Sequence, residues 1–237
     1  MLNIIEKYLE DLAMIPALAG YEQKLAAYMR SEFESLGYAT KIDTFGNCIA
    51  KLEGTDPEAP VIMVFAHMDS LGFLVRYIED DGFIRIERLG GIPEKVLPST
   101  QIQIQCRDGS MVDGVIGVKA HHVTPPEEKY VVEKYTNLFV DIGATSRQQV
   151  LDLGIDIGSP IIYKPKFQKL QGTRILASFA DNRTGCTALL TLSHFLYGKK
   201  SKSTVYLVGT IQEEFNLRGA MMAARTIKPD IAICIDG

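Results

Sequence analysis

Apolar residues near the start of the chain recur at the three- and four-residue spacing of amphipathic helices. This spacing predicts one helix over residues 4–12 and a second over residues 22–36, which Gly37 ends. Strands are predicted at Ala39–Ile42 and Cys48–Leu52, on either side of a Phe-Gly-Asn turn. The apolar run at 61–66 does not alternate, which is typical of a strand that helices cover on both faces.

The pattern changes between residues 70 and 164, where short stretches alternate between apolar and polar positions. Glycine-containing turns separate these stretches, among them FLVRYIE, FIRIERL, TQIQIQC and NLFVDIG. Alternation of this kind, interrupted by turns, is typical of a small β-rich unit. One short helix is predicted within it, over residues 146–153.

Helices and strands alternate again after residue 165. The pattern predicts a helix over 182–197, a strand over 203–212, a helix over 217–227 and a strand over 230–237. We therefore expect an α/β domain made of residues 1–69 and 165–237. A β-rich domain, residues 70–164, would be inserted between its two halves.

Composition narrows the class of protein. The chain has 237 residues, 46% hydrophobic and 23% charged, as in ordinary globular proteins. Its net charge of −4 argues against nucleic acid as a partner. The longest apolar run is too short to cross a bilayer. Acidic residues among the first fourteen argue against a secretory signal, so we expect a cytoplasmic protein with no membrane partner.

The four cysteines are widely separated. They stand at positions 48, 106, 186 and 234, with no CxxC pair among them. This spacing argues against a disulfide framework and against a structural zinc knuckle. We expect all four to be small buried hydrophobic residues.

Polar side chains that can bind metals follow three of the predicted α/β strands. His67 and Asp69 follow the first, Glu213 and Glu214 the second, and Asp236 the third. Because ligands of open α/β sheets bind outside the carboxyl ends of the strands, the fold would bring these side chains together.

Each residue, taken alone, has a plainer explanation. Asp181 precedes a predicted helix and could be its N-cap, Asp236 could be a turn residue, and His67 could be a hydrogen-bonded core histidine. Glu213 and Glu214 could form a solvated strand end, but adjacent acids after a buried strand repel each other unless a cation is near. Taken together, the residues favour a metal site.

The donor types indicate the metal and the chemistry. One imidazole and several carboxylates, without thiolates, suit zinc, cobalt or manganese. Between two such metals a shared carboxylate can hold a bridging hydroxide, and a carboxylate that is not a ligand can take and return its proton. Glu213 and Glu214 offer one residue for each role, and Asp69 could orient a ligand imidazole. The residues predict hydrolysis without specifying the bond.

Four separated motifs resemble one known family. AHMDSLGFLV, ADNRTGC, GTIQEEFNLRGA and DIAICIDG closely resemble the metal-site motifs of the M42 dinuclear metalloaminopeptidases, and DTFGNCIA, GVIGVKAHH and DIGATS resemble other parts of that family. The resemblance implies a zinc-peptidase-like mixed sheet flanked by helices, with two divalent metal ions per subunit. It also implies that the inserted domain makes subunit contacts in a homo-oligomer, such as a dodecamer, and that the substrates are short peptides.

The same resemblance implies a role for each site residue. His67 and Asp236 would bind one metal, Asp181 would bridge both, and Glu214 would bind the second. Glu213 would be the general base that activates a metal-bridging water. Asp69 would support His67 or the bridging group.

The resemblance also implies an incomplete second site. Members of the family continue beyond the strand that ends at Asp236, adding a last histidine, whereas this sequence stops at Gly237. We therefore expect an exposed last strand, and either an aminopeptidase or a catalytically impaired scaffold or fragment. Another co-catalytic hydrolase, such as an N-deacylase or a carboxypeptidase, is a third alternative.

Overall fold

The computed structural model describes residues 2–237 and divides them into two compact units. One unit comprises the residues up to Ser70 together with Pro165–Gly237, and the other is Leu71–Lys164. The first boundary, after Ser70, lies one residue later than the sequence pattern predicts.

Helices and strands follow one another in an α/β order that the β-rich segment interrupts. The elements are α1 (Leu2–Ala13), α2 (Gln23–Ser35), β1 (Ala39–Ile42), β2 (Cys48–Leu52), β3 (Ile62–His67), β4 (Gly72–Ile78), β5 (Ile84–Leu89), β6 (Gln101–Gln105), β7 (Met111–Gly117), β8 (Phe139–Asp141), α3 (Arg147–Asp152), β9 (Pro160–Tyr163), β10 (Phe167–Lys169), β11 (Ile175–Ala177), α4 (Ala180–Leu196), β12 (Val205–Thr210), α5 (Arg218–Ile227) and β13 (Ile231–Cys234). Short 3-10 helices lie at Glu94–Val96, His121–Val123 and Tyr135–Asn137.

The first unit is built on a five-stranded mixed sheet in the order β1-β2-β12-β3-β13. The strands β12, β3 and β13 run parallel, whereas β2 is antiparallel to both β1 and β12. Parallel neighbours end at the same edge of the sheet, so the segments that follow β3, β12 and β13 leave the sheet on one side.

Helices cover both faces of this sheet. On one face, Val64 and Ala66 of β3 pack with residues of α1, α2 and α4 in the main core. On the other face, Met63 packs with Ala223 of α5. The alternation of side chains along β3 therefore serves two apolar faces, as the unbroken apolar run predicted. The α/β fold class expected from the sequence is confirmed.

The second unit is a closed barrel of six strands in the order β4-β5-β8-β7-β6-β9. Its alternating sequence follows from this closure, because every second residue points inward. In β6, Ile102 and Ile104 are fully buried, whereas the glutamines on either side of them are not. Closure pairs every strand of the barrel on both sides, which leaves no edge strand.

Two features differ from the sequence analysis. After Lys164 the chain first forms a small antiparallel hairpin of β10 and β11, where only helix and strand alternation was expected. Cys48, Cys106 and Cys186 are buried, but Cys234 is exposed, so the expectation for that cysteine is wrong. The reason is topological, because β13 is an edge strand of the sheet and all four of its residues are exposed.

Within residues 2–237, no helix is both long and apolar enough to span a membrane.

Candidate metal centre

The register of the sheet places the predicted residues at one level. Thr210 of β12 pairs with His67 of β3, and Cys234, the last residue of β13, pairs with Phe65. Asp236 follows two residues beyond the end of β13, as His67 follows two residues after Phe65. The segment that carries Glu213 follows Thr210. Strand pairing thus brings residues from three distant parts of the sequence to one edge.

His67 turns one ring nitrogen towards the protein and the other towards the acidic residues. Its ring is 3% exposed, and Nδ1 lies 3.1 Å from the backbone carbonyl oxygen of Asp69. Because a carbonyl oxygen only accepts hydrogen bonds, this contact favours the tautomer with the proton on Nδ1. Nε2 then carries a lone pair, as a metal ligand requires.

Three carboxylates surround Nε2. The nearest is Asp181, with Oδ1 at 3.0 Å, followed by Asp236 Oδ1 at 3.5 Å and Glu213 Oε2 at 4.0 Å. Burial lowers the pKa of His67, but the carboxylates of Asp69, Glu213 and Asp181 outweigh burial and raise it to about 9. Without a cation the cluster therefore holds a proton on the imidazole.

The start of α4 presents Asp181 to His67. Backbone angles at Asp181 and Asn182 are not helical, and a cis peptide bond joins the two residues. Asn182 is fully buried, and its Oδ1 accepts a hydrogen bond from the backbone N–H of Gly185, as an N-cap does. The capping explanation for Asp181 is therefore wrong, since Asn182 fills that role and leaves the Asp181 carboxylate free to face His67.

Asn182 also ties Asp236 to the same helix. Its Nδ2 donates to the carbonyl oxygen of Ile235 at 2.8 Å and lies 3.3 Å from Asp236 Oδ1. One buried amide thus connects the end of β13 with the start of α4. This contact links Asp236 to the residue that follows Asp181.

Asp69 orders the segment that carries the two glutamates. Its carboxylate is fully buried, and its two oxygens accept the backbone N–H groups of Glu213 at 2.9 Å and Glu214 at 3.0 Å. A carboxylate engaged in this way is a backbone acceptor rather than a free ligand. The structure therefore brings Asp69 beside the cluster without including it among the open donors.

Both glutamates have a raised pKa. For Glu213, burial raises the pKa against the opposing effect of His67, and the neighbouring aspartates raise it further. For Glu214, burial and then the charge of Glu213 raise the pKa to about 7. Adjacent acids that are partly withdrawn from water share a strong repulsion, which a cation would relieve.

The donors present fit a divalent metal. His67, Asp181 and Asp236 each offer one ligand atom, and these atoms all lie within 4.8 Å of one another. An imidazole nitrogen with two carboxylate oxygens suits zinc, cobalt or manganese. Glu213 lies beside this set, whereas Glu214 is not part of it among the described residues.

Sequence reasoning missed two buried residues at this site, Asn182 and Arg183. The Arg183 guanidinium is fully buried and donates to the carbonyl oxygens of Leu12, Met68 and Ile15. Burial lowers the pKa of Arg183 to about 10. The signals in the sequence were their position directly after Asp181 and their place in the ADNRTGC motif.

The mixed sheet, its helical cover and the imidazole–carboxylate cluster at the ends of parallel strands define a zinc-peptidase-like α/β protein with a candidate metal site. Comparison with known proteins gives the family. A family model described as M42 glutamyl aminopeptidase matches residues 46–237. This chain belongs to the M42 peptidase family.

Individual relatives match nearly the whole length of this chain. SgcX of Escherichia coli (strain K12) is 36% identical over 233 residues, which are 98% of this chain and 62% of that protein. The aminopeptidase APDkam598 of the archaeon Desulfurococcus kamchatkensis superposes with a TM-score of 0.91 at 33% identity, covering 98% of this chain and 62% of that chain. The TET1 peptidase of Pyrococcus horikoshii, which can assemble into a tetrahedron or a large octahedral shell, gives a TM-score of 0.89 at 29% identity, covering 98% and 68%. The chain thus spans less than two thirds of the length of the first two of these relatives.

Proposed function

We propose that this chain carries the catalytic residues of a metal-dependent aminopeptidase that removes N-terminal residues from short peptides. The observation that carries the proposal is the convergence of His67, Asp181 and Asp236, with the Glu213 carboxylate 4.0 Å from His67 Nε2. Membership of the M42 family and the similarity to APDkam598 support peptide-bond hydrolysis as the reaction.

The roles of the residues follow from their surroundings. When bound, divalent metal ions would polarise the scissile carbonyl and acidify a water molecule. Glu213 lies beside the three candidate ligands but is not one of them. Its raised pKa suits a group that accepts a proton and returns it. It would take a proton from the attacking water and deliver it to the leaving amine. Asp69 would act as a positioning residue, because it holds the backbone of Glu213.

The deciding experiment measures amino-acid release from a panel of short peptides by the 237-residue chain. After treatment with a chelator, zinc, cobalt or manganese is added back singly. We expect release that depends on the added metal. Glu213→Gln, which keeps the size of the side chain but removes the base, should lower kcat by about 100-fold or more.

Three outcomes would contradict the proposal. Normal turnover by Glu213→Gln would show that the base is wrongly assigned. A folded chain that binds metal but releases nothing would instead support the alternative of a scaffold or fragment. Release of acyl groups or of C-terminal residues by the same protein would favour another co-catalytic hydrolase.

We further propose a second metal, bridged by Asp181 and bound by Glu214. The raised pKa of Glu214, about 7, supports a cation near it when the protein is active. Metal analysis should give up to two ions per chain, falling by one in Glu214→Gln and by one in His67→Gln. A stoichiometry of one that Glu214→Gln leaves unchanged would exclude this second site.

We propose that the protein is a cytoplasmic homo-oligomer in which the barrel unit makes the subunit contacts. The barrel unit carries an exposed apolar stretch, in which Tyr130 is 93% and Val131 is 67% exposed. The assembly described for TET1 of Pyrococcus horikoshii supports a large particle. Light scattering should report a multimer that Val131→Asp dissociates, whereas Lys129→Asp, one position from this stretch, should have a smaller effect. A monomeric wild-type chain would contradict the proposal.

A further inference from the structure

Four consecutive backbone N–H groups after β12 are each held by a buried side chain from elsewhere in the sequence. The oxygen Asn47 Oδ1 accepts the N–H of Ile211 at 3.1 Å, and Glu22 Oε1 accepts that of Gln212 at 3.1 Å. The backbone N–H groups of Glu213 and Glu214 donate to the carboxylate of Asp69. Whereas Asp69 stands beside the candidate ligands in sequence, Glu22 and Asn47 belong to segments with no assigned role.

The Glu22 side chain is buried and held in place to accept the N–H of Gln212. It is the residue before α2 and only 2% exposed, and its Oε1 also accepts the backbone N–H of Gly20 at 2.8 Å. Two amide donors on one buried carboxylate oxygen form charge-assisted hydrogen bonds. The hydrogen bond from Gly20 thereby fixes the position of the Glu22 carboxylate, and this carboxylate in turn holds the backbone of Gln212.

Asn47 holds both ends of the segment that runs from Ile211 to Gly219. Its Oδ1 accepts from Ile211, and its Nδ2 donates to the carbonyl oxygen of Gly219 at 3.2 Å and to Asp43 Oδ2 at 2.8 Å. The Asn47 side chain is fully buried. At Gly219 an added Cβ would collide with the Ile211 backbone and with Asn47 Oδ1, so the close approach requires glycine.

The segment needs this support because its own backbone is unfavourable. Gln212, Asn216 and Leu217 have φ values of +52°, +71° and +55°. These lie in the left-handed region, which residues with a Cβ rarely adopt. Three backbone hydrogen bonds lie within the segment, and the bonds from the outside side chains add to them in keeping the turn in the shape that sets Glu213 beside His67.

We infer that Glu22 and Asn47 are positioning residues for the Glu213 carboxylate. They act through the backbone of Ile211 and Gln212 and touch neither the cluster nor its ligands. The inference deepens the proposed function and rests on it for its kinetic consequence. Its structural consequence, an ordered backbone at 211–214, is measurable without any activity.

The test compares Glu22→Ala, Glu22→Asp and Glu22→Gln with the full wild-type chain. Glutamine keeps an oxygen that can accept from Gln212, alanine has none, and aspartate keeps the charge but is one methylene too short. We expect kcat to fall by about 100-fold in Glu22→Ala, with a smaller loss in Glu22→Asp and a return towards wild type in Glu22→Gln. Affinity for the metal at His67, Asp181 and Asp236 should stay within about threefold in all three, because none of these residues lies on the loosened segment. Gln23→Ala, at the exposed neighbouring position, is the control.

Hydrogen–deuterium exchange provides the readout that does not depend on activity. Amides of residues 211–214 should exchange at least about tenfold faster in Glu22→Ala than in wild type, while those of β3 are unchanged. Asn47→Ala should give the same local effect. If Glu22→Ala does not fold, the comparison of Glu22→Asp with Glu22→Gln carries the test.

The results separate the two proposals. A wild-type chain without peptidase activity would refute the proposed function, yet faster exchange in Glu22→Ala would still support the holding of the segment. Unchanged exchange, or an unchanged kcat in an active protein, would overturn the inference. So would a Glu22→Gln variant as slow as Glu22→Ala, because the acceptor oxygen would then not be the cause.

Discussion

At the scale of single residues, hydrogen bonds to neighbouring groups determine which side-chain atoms are free to bind a metal. His67 is ready to bind through Nε2 because Nδ1 faces the carbonyl oxygen of Asp69. Asp181 faces His67 because Asn182, not Asp181, caps the helix. Asp69 is withdrawn from the open donors because both of its oxygens accept backbone N–H groups.

The raised pKa of His67 leads to a prediction about metal binding. With a pKa of about 9, the imidazole of the metal-free protein is protonated at pH 7, so a metal must displace that proton. Affinity should therefore fall as the pH falls below about 9, by up to about tenfold per pH unit. Titration calorimetry between pH 6 and 8, in buffers with different ionisation enthalpies, should detect proton release. In His67→Gln this pH dependence should weaken, and a flat affinity in wild type would refute the prediction.

At the scale of elements, the strand register and one close helix contact decide which residues meet. The sequence predicted β1 and β2 with their correct limits and the other α/β elements, except the β10-β11 hairpin, to within a few residues. It predicted residues after β3, β12 and β13 at one edge, because parallel strands end together. The kinked start of α4 could not be predicted, since Asp181 and Asn182 adopt it through contacts with β3 and β13.

Gly185 allows α4 to approach β3. A Cβ at this position would lie 2.8 Å from that of Ala66 and would also collide with the Asn182 side chain. We expect Gly185→Ala to destabilise the protein by about 1–3 kcal/mol and to weaken metal binding, because Asn182 holds Asp236. Urea unfolding and metal titration measure both effects. Gly91→Ala, where an added Cβ meets nothing within 4 Å, should be close to neutral; equal effects of the two variants would contradict this explanation.

At the scale of the whole molecule, the barrel is an insertion whose ends meet. The segment enters through β4 and leaves through β9, and these strands pair with each other through Phe73 and Ile161. An insertion with adjacent ends can be added to a domain without disturbing its strand order. The barrel also has its own core, made of residues from all six of its strands.

The barrel should therefore fold when it is produced alone. We expect residues 71–164 to give a dispersed NMR spectrum and one cooperative unfolding transition, with a stability of about 5 kcal/mol. Ile104→Asp places a charge at a fully buried position and should abolish the fold. An isolated segment that stays unfolded would mean that the barrel depends on the rest of the chain.

The sequence by itself determined the α/β class, the β-rich insertion and the set of metal-capable residues, because each depends on local patterns of apolar and polar positions. The exposure of Cys234, the tautomer of His67 and the capping role of Asn182 were decided only by the tertiary structure. The tertiary structure also decided the hydrogen bonds by which Glu22 and Asn47 hold the segment that carries Glu213. The bonds of Glu22 and Asn47 join residues more than a hundred positions apart, and the exposure of Cys234 follows from the edge position of β13. The bonds of His67 and Asn182 are local, but the packing of α4 beside β3 and β13 selects them, and no local pattern in one sequence encodes that packing.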